Sequence, residues 1–199
     1  SATGYAVREE NLINPIRVKP GDAIVIVESS GSHANGLTLA REIASKLPQG
    51  YMTVLPSGRT YGDVLLDPTH LYSPLIGDIV RSFDFPSYAV NITGHGWRKL
   101  MRATQPLAYV IDTLPSELEI FKFIQEHGPV AEREMYANYN MGAGFAIYCH
   151  PDDVKPIIEL ATKRGLTAFR AGTIFESDKK RVVIEPKGII FEADELAVR

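Results

Sequence analysis

Residues 23–47 read "AIVIVESSGSHANGLTLAREIASKL", and the change of period inside this stretch decides the fold. Ala23-Ile24-Val25-Ile26-Val27 is a continuous apolar run rich in β-branched side chains, which predicts a strand covered on both faces. Residues 37–47 place apolar side chains at 39, 40, 43, 44 and 47, the spacing of a helix with one buried face, and Pro48-Gln49-Gly50 stops it. Between strand and helix stand nine residues, Glu28-Ser29-Ser30-Gly31-Ser32-His33-Ala34-Asn35-Gly36. A glycine-rich junction of this kind leaves backbone N–H groups free at a helix mouth, where the dipole adds about half a positive charge. Such a mouth suits phosphate or carboxylate. Ser29, Ser30 and Ser32 can donate to phosphate oxygens, Gly31 and Gly36 permit close approach, and His33 and Asn35 offer both donors and acceptors. The plainer alternative is that Gly31 and Gly36 only make a tight turn and Asn35 only caps the helix.

The same grammar recurs. Residues 87–93 read as a strand, Gly94-His95-Gly96 follows, and residues 97–103 read as a helix carrying Arg98, Lys99 and Arg102. Thr93, Gly94, His95 and Gly96 therefore join the candidate phosphate-binding residues, against the alternative of a turn backed by a solvated basic face. A third stretch, "NMGAGF" at 140–145, sets Asn140, Gly142 and Gly144 at the start of a strand over 144–149. Glycine there signals close approach of another group or a bulge.

The rest of the chain is read more coarsely. Residues 51–55 are expected as a strand and 56–63 as a loop. Asp67-Pro68 is expected to open a helix to about Phe83, kinked at Pro74. A strand over 109–112 precedes a helix over 117–127, with a capping box from Ser116 and Glu119 and a stop at Gly128. A helix over 131–139 comes next. Pro151-Asp152-Asp153 opens a helix ending at Gly165. Strands over 167–176 and 181–184 lead to a turn at Pro186-Lys187-Gly188 and a last strand over 189–191. Most strands lack strict alternation, so helices cover the sheet. The expected architecture is one α+β domain with a mixed sheet in three layers, α/β/α; a purely parallel α/β sheet is the alternative.

Composition narrows the function classes. A net charge of −3 over 199 residues gives no field that would draw the chain to nucleic acid or an anionic membrane. No apolar run approaches the roughly 20 residues of a membrane span. A single cysteine, Cys149, forms no internal disulfide and suits a reducing cytoplasm; at the end of an apolar strand it is expected to be buried. The start, Ser1-Ala2-Thr3-Gly4, has no signal-peptide pattern and no initiating Met, as expected of an excised or processed piece. His70 and His127 are expected on helix surfaces. His150 with Asp152 and Asp153 has metal-like spacing, but Pro-Asp-Asp is an ordinary helix start, and no metal site is expected.

Taken in order, "SSGSHANG", "ITGHG", Glu134-Met135 and "NMGAG", with Leu65-Leu66-Asp67-Pro68-Thr69 and "IQEHGPV" at 124–130, the chain resembles the C-terminal domain of the aminoimidazole ribonucleotide synthetase (phosphoribosylformylglycinamidine cyclo-ligase) family. That family is similar to the enzymes making selenophosphate, thiamine diphosphate and hydrogenase cofactor, and to formylglycinamide ribonucleotide amidotransferase. The resemblance implies an ATP-dependent ring closure in purine biosynthesis, with ATP and Mg held mainly by an N-terminal domain. Residues 1–20 would be the end of that domain and a linker, with Thr3-Gly4-Tyr5-Ala6-Val7 its last strand; residues 21–199 would be the C-terminal-like domain. It implies a phosphorylated small-molecule substrate, the N-terminal ATP-binding domain and a homodimer as partners. His33 and Asn35 are the candidate catalytic residues. This chain alone would hold no ATP tightly and be inactive. It departs from the family pattern at Ala34, His95, Lys99, Leu100 and Ala137. Those positions fall where substrate would lie, so two alternatives stay open: a paralogue acting on another amide or thiocarbonyl-type substrate, and a non-catalytic module binding a phosphorylated ligand.

Overall fold

The computed structural model describes residues 13–82 and 86–196. The expectations for residues 3–7, for most of the 1–20 segment and for Phe83 lie outside the described residues.

The apolar run becomes the central strand of a seven-stranded sheet. Strand β1 (Ala23–Glu28) is flanked by β4 (Ala143–Cys149) on one side and β5 (Ala168–Glu176) on the other. The full order is β2-β4-β1-β5-β3-β6-β7, with β2 spanning Tyr88–Asn91, β3 Leu107–Ile111, β6 Arg181–Ile184 and β7 Ile189–Glu192. All neighbours are antiparallel except β3 and β6, so the sheet is mixed.

Because successive side chains of a strand point to opposite faces, β1 feeds two cores. Ile24 and Ile26 enter the larger one, with α1 (Leu37–Lys46), α2 (Tyr61–Leu65), α4 (Glu119–His127) and α5 (Glu132–Asn138). Ala23, Val25 and Val27 enter the smaller one, with α3 (Ser73–Ser82) and α6 (Val154–Lys163). All five are at most 2% exposed, and each fully buried Val or Ile is worth about 1.5–3 kcal/mol. This is the expected three-layer α+β domain. Cys149 faces the smaller core, 1% exposed, and burial pushes its thiol up to about 12, with Asp153 and Asp22 adding to the shift.

Several local expectations are corrected. Residues 51–55 form no strand: a 3-10 turn at Gly50–Met52 leads to a single bridge, Val54 to Thr60, because the chain reverses within six residues and pairs only with itself. The loop expected over 56–63 ends early, since the Thr60 hydroxyl accepts from the Asp63 N–H and starts α2 at Tyr61. Asp67 opens no helix. Its carboxylate is taken by both terminal nitrogens of Arg59, at 2.8 and 2.6 Å, and α3 begins only at Ser73. Pro74 then sits in the first turn, where its absent N–H costs nothing, and makes no kink. The capping box at Ser116 does not form. Glu119 accepts instead from the N–H and hydroxyl of Ser57, and the Ser116 N–H donates to Glu28 Oε1 at 3.1 Å. The segment after Gly-His-Gly is a 3-10 turn, Gly96–Arg102, rather than an α-helix.

His150 accepts from the Asp152 N–H at 3.4 Å, capping the 3-10 turn Pro151–Asp153. Among the described residues no group of three His, Cys, Asp or Glu could hold a metal ion, and no helix is long and apolar enough to cross a membrane.

Candidate functional site

The three glycine-rich segments leave the sheet at one end and meet there, joined through Asn140. This residue is fully buried. Its Oδ1 accepts from the Ser29 hydroxyl and the Gly142 N–H, both at 3.0 Å, and its Nδ2 donates to the Gly31 carbonyl at 2.9 Å. Its own carbonyl accepts from the indole N–H of Trp97 at 2.9 Å, which ties in the second segment. The Ser29 N–H donates to the Gly142 carbonyl at 2.8 Å. One asparagine thus fixes residues 29–31, 97 and 142 relative to one another.

Register explains why the junction departs from the sheet. Val27 pairs with Phe145 but Glu28 with Ala143, so the ladder slips at Gly144. The slip admits the phenol of Tyr72, which donates to the Glu28 carbonyl at 3.0 Å. A Cβ on Gly144 would lie 1.8 Å from that phenol oxygen. The bulge and the close approach expected of this glycine occur together.

The mouth of α1 follows. Its N-cap is Gly36, in the left-handed region at φ +68°, and no side chain caps the helix. Asn35 is therefore not the cap. Its Oδ1 instead lies 3.5 Å from where a Cβ on Gly94 would sit, bringing the first and second loops together. Gly31 is outside the left-handed region, whereas His33 (φ +55°), Met141 (φ +47°), Gly96 (φ +51°) and Gly142 (φ +91°) lie within it. Two non-glycine residues in that region, one in each of two converging loops, mark a backbone held by its surroundings.

The serine hydroxyls are engaged inside the protein. Ser29 donates to Asn140, Ser30 to the Pro68 carbonyl at 2.6 Å, and Ser32 to the His33 carbonyl at 3.4 Å. The groups open at the helix mouth are therefore backbone N–H groups and the side chains of His33 and Asn35. Beside them a pocket of about 410 Å³ is lined by Gly36, Thr38, Gly94, Glu134, Asn138 and Tyr139 among others.

His33 is half-buried, with Nε2 3.4 Å from the Ser30 hydroxyl. Burial, and then the nearby His70, lower its pKa, so the ring is neutral at pH 7. The sign for stability follows: the unfolded chain binds the proton more readily, so this residue costs stability as pH falls below about 6.5. His70 does not sit on a helix surface as expected. It precedes α3, half-buried, with its ring edge-on to Tyr72 at 6.2 Å.

In the second loop, Thr93 and Gly96 close a tight turn, Gly96 N–H to Thr93 carbonyl at 2.6 Å. Burial and then the cations Arg98, Arg102 and Lys99 lower the pKa of His95. Arg98 donates to the carbonyls of Ala137 (3.1 and 2.9 Å) and Glu195 (2.8 Å), so it serves the framework rather than a solvated face. Sequence reasoning missed Tyr72, Glu28 and Trp97. Tyr72 was hidden inside the misplaced helix, and nothing in the spacing ties Trp97 to Asn140.

This three-layer domain on a mixed sheet is a fold found in other proteins. Solved structures share it: Thermotoga maritima PurL complexed with FGAR has a TM-score of 0.58 at 18% identity, covering 96% of this chain and 30% of that one. The thiamine-monophosphate kinase of Stenotrophomonas maltophilia scores 0.56 at 18% identity, covering 88% and 54%. A HypE–HypF complex scores 0.56 at 16%, covering 89% and 53%. At such identities the likeness shows the fold alone.

Sequence relatives go further. Phosphoribosylformylglycinamidine cyclo-ligase of Methanococcus maripaludis (strain C7) is 38% identical over 172 residues, 86% of this chain and 49% of that protein. The enzyme of the same name from Methanocaldococcus jannaschii is 36% identical over 173 residues, with the same coverages. Over that stretch the chain is a homologue of these cyclo-ligases, whose family its motifs resemble. It spans about half the length of the curated relatives it matches. No family model matches the chain.

Proposed function

We propose that this chain is the C-terminal, substrate-facing domain of a cytoplasmic ATP-dependent cyclo-ligase that closes the imidazole ring of aminoimidazole ribonucleotide. The observation that carries this reading is the meeting of residues 28–36, 93–96 and 140–142 beside an uncapped helix mouth and a pocket of about 410 Å³, in a chain homologous to enzymes of that name.

An amide oxygen leaves poorly, so ATP, bound with Mg by the other half of the protein, first phosphorylates it. An amidine nitrogen then attacks the activated carbon, its proton is removed, and phosphate departs as the ring closes. Chemistry of this kind runs on positioning and charge neutralisation. The first loop supplies both: backbone N–H groups at the α1 mouth for a phosphate, Asn35 to orient the substrate, and neutral His33 to accept the proton.

The test uses the product of the gene that encodes the chain, given formylglycinamidine ribonucleotide and Mg-ATP. Imidazole formation with one phosphate released per ring is expected. His33→Ala should lower kcat/KM by about 100-fold or more, and the wild-type rate should fall in acid at a pH lower than that of an ordinary histidine, because burial and His70 lower the pKa of this imidazole. Absence of ring closure, or a His33→Ala variant as fast as wild type, would overturn the assignment.

A further inference from the structure

We propose that Lys99 is a positioning residue: it aims the Thr93 hydroxyl at an anionic group of the ligand and sets the second glycine loop to receive a phosphomonoester. This deepens the reading above and rests on it.

Lys99 is only 9% exposed. Its ammonium donates to the Thr93 hydroxyl oxygen and, at 3.3 Å, to the Asn91 carbonyl at the end of β2. Both partners are neutral, and among the described residues Lys99 makes no ion pair. Burying an ammonium without a counter-charge is costly, and a site that accepts the cost carries an uncompensated positive charge ready for an anion.

The hydrogen-bond bookkeeping points the same way. An ammonium only donates, so the Thr93 oxygen is the acceptor of this bond and its own proton is directed elsewhere. No acceptor for that proton is found among the described residues. Thr93 also closes the tight turn to Gly96, and the next residue, Gly94, lines the pocket at the α1 mouth beside Asn35. An anion held at the uncapped α1 mouth, beside Gly36 and Gly94, would lie one residue along the chain from Thr93.

The charges around the two loops are mixed, with cations behind the second loop and carboxylates on the pocket. Arg98 is committed to backbone carbonyls, Arg102 is exposed, and His95 lies within electrostatic reach of Arg98, Arg102 and Lys99. The carboxylates on the same pocket are Glu42, held by Lys46 at 2.6 Å, and exposed Glu134. Burial, and then Arg102, lower the pKa of Lys99.

Thermal melts of this chain in inorganic phosphate, against chloride at equal ionic strength, test the assignment. Wild type should gain Tm with the logarithm of phosphate concentration. Lys99→Met should melt in chloride at or above wild type, yet bind phosphate at least tenfold more weakly; Lys99→Arg should recover most of the response. Thr93→Val should lose the response while Thr93→Ser keeps it, and this pair decides the matter if Lys99→Met fails to fold. In wild type the phosphate gain should fade on raising pH before the usual lysine range of about 10.4. A full phosphate gain in both Lys99→Met and Thr93→Val would overturn the role of Lys99 while leaving the helix-mouth reading intact. A wild type without any phosphate gain would overturn both.

Discussion

Asn140→Ala is expected to lower the stability of the domain by about 3–5 kcal/mol, close to the upper end of single-substitution effects. The amide is fully buried and makes three hydrogen bonds, from Ser29 and Gly142 and to Gly31. Truncation strands a hydroxyl, an N–H and a carbonyl away from water, at about 1–3 kcal/mol each. Asn140→Asp is nearly isosteric and keeps the acceptor, yet it turns a second carboxylate oxygen on the Gly31 carbonyl. It should fare little better at neutral pH and recover partly in acid, where the carboxyl can donate. Urea unfolding followed by fluorescence of Trp97, whose indole donates to the Asn140 carbonyl, reads both variants. A loss below 1 kcal/mol for the alanine variant would mean the three segments are held together by something other than this residue.

The second large effect is expected at Gly96. Its φ is +51°, and a Cβ would lie 2.2 Å from the Tyr136 carbonyl oxygen and 2.7 Å from the Ala137 carbonyl carbon. Those are backbone atoms of α5 and cannot swing aside as a side chain can. Left-handed strain costs a non-glycine residue about 1–2 kcal/mol, and the overlap adds to it, for a total loss of about 3 kcal/mol or more in Gly96→Ala. Gly188 is the control. Its φ is +63°, but nothing stands within 4 Å of an added Cβ, so Gly188→Ala should cost about 1 kcal/mol. Equal losses in the two variants would show that backbone strain alone matters and that α5 is not pressed against the second loop.

How much of this could be read in advance depended on whether the signal was local. The strand over 23–27 and the helix from Leu37 follow from periodicity, and the structure places both where expected. The glycine-rich junction was legible as a junction, and the resemblance named the family before any geometry was known. What periodicity could not give was the competition for partners. Asp67 reads as a helix cap until Arg59 is seen to claim its carboxylate. Ser116 and Glu119 read as a capping box until Ser57 and Glu28 take their groups. The serines of the first loop read as ligand donors, yet their protons go to Asn140, Pro68 and His33. Lys99 looked like one charge on a solvated face, although burial is what sets its chemistry.

The central claim is that residues 28–36, 93–96 and 140–142 form one anion-binding surface. Amide NMR of the chain titrated with inorganic phosphate tests it most directly. The predicted result is that backbone N–H signals from all three segments, together with those of the first turn of α1, move along a single binding curve that chloride at equal ionic strength does not reproduce. Shifts confined to another surface, such as the groove beside Tyr51 and Leu66, or shifts reproduced equally by chloride, would contradict it.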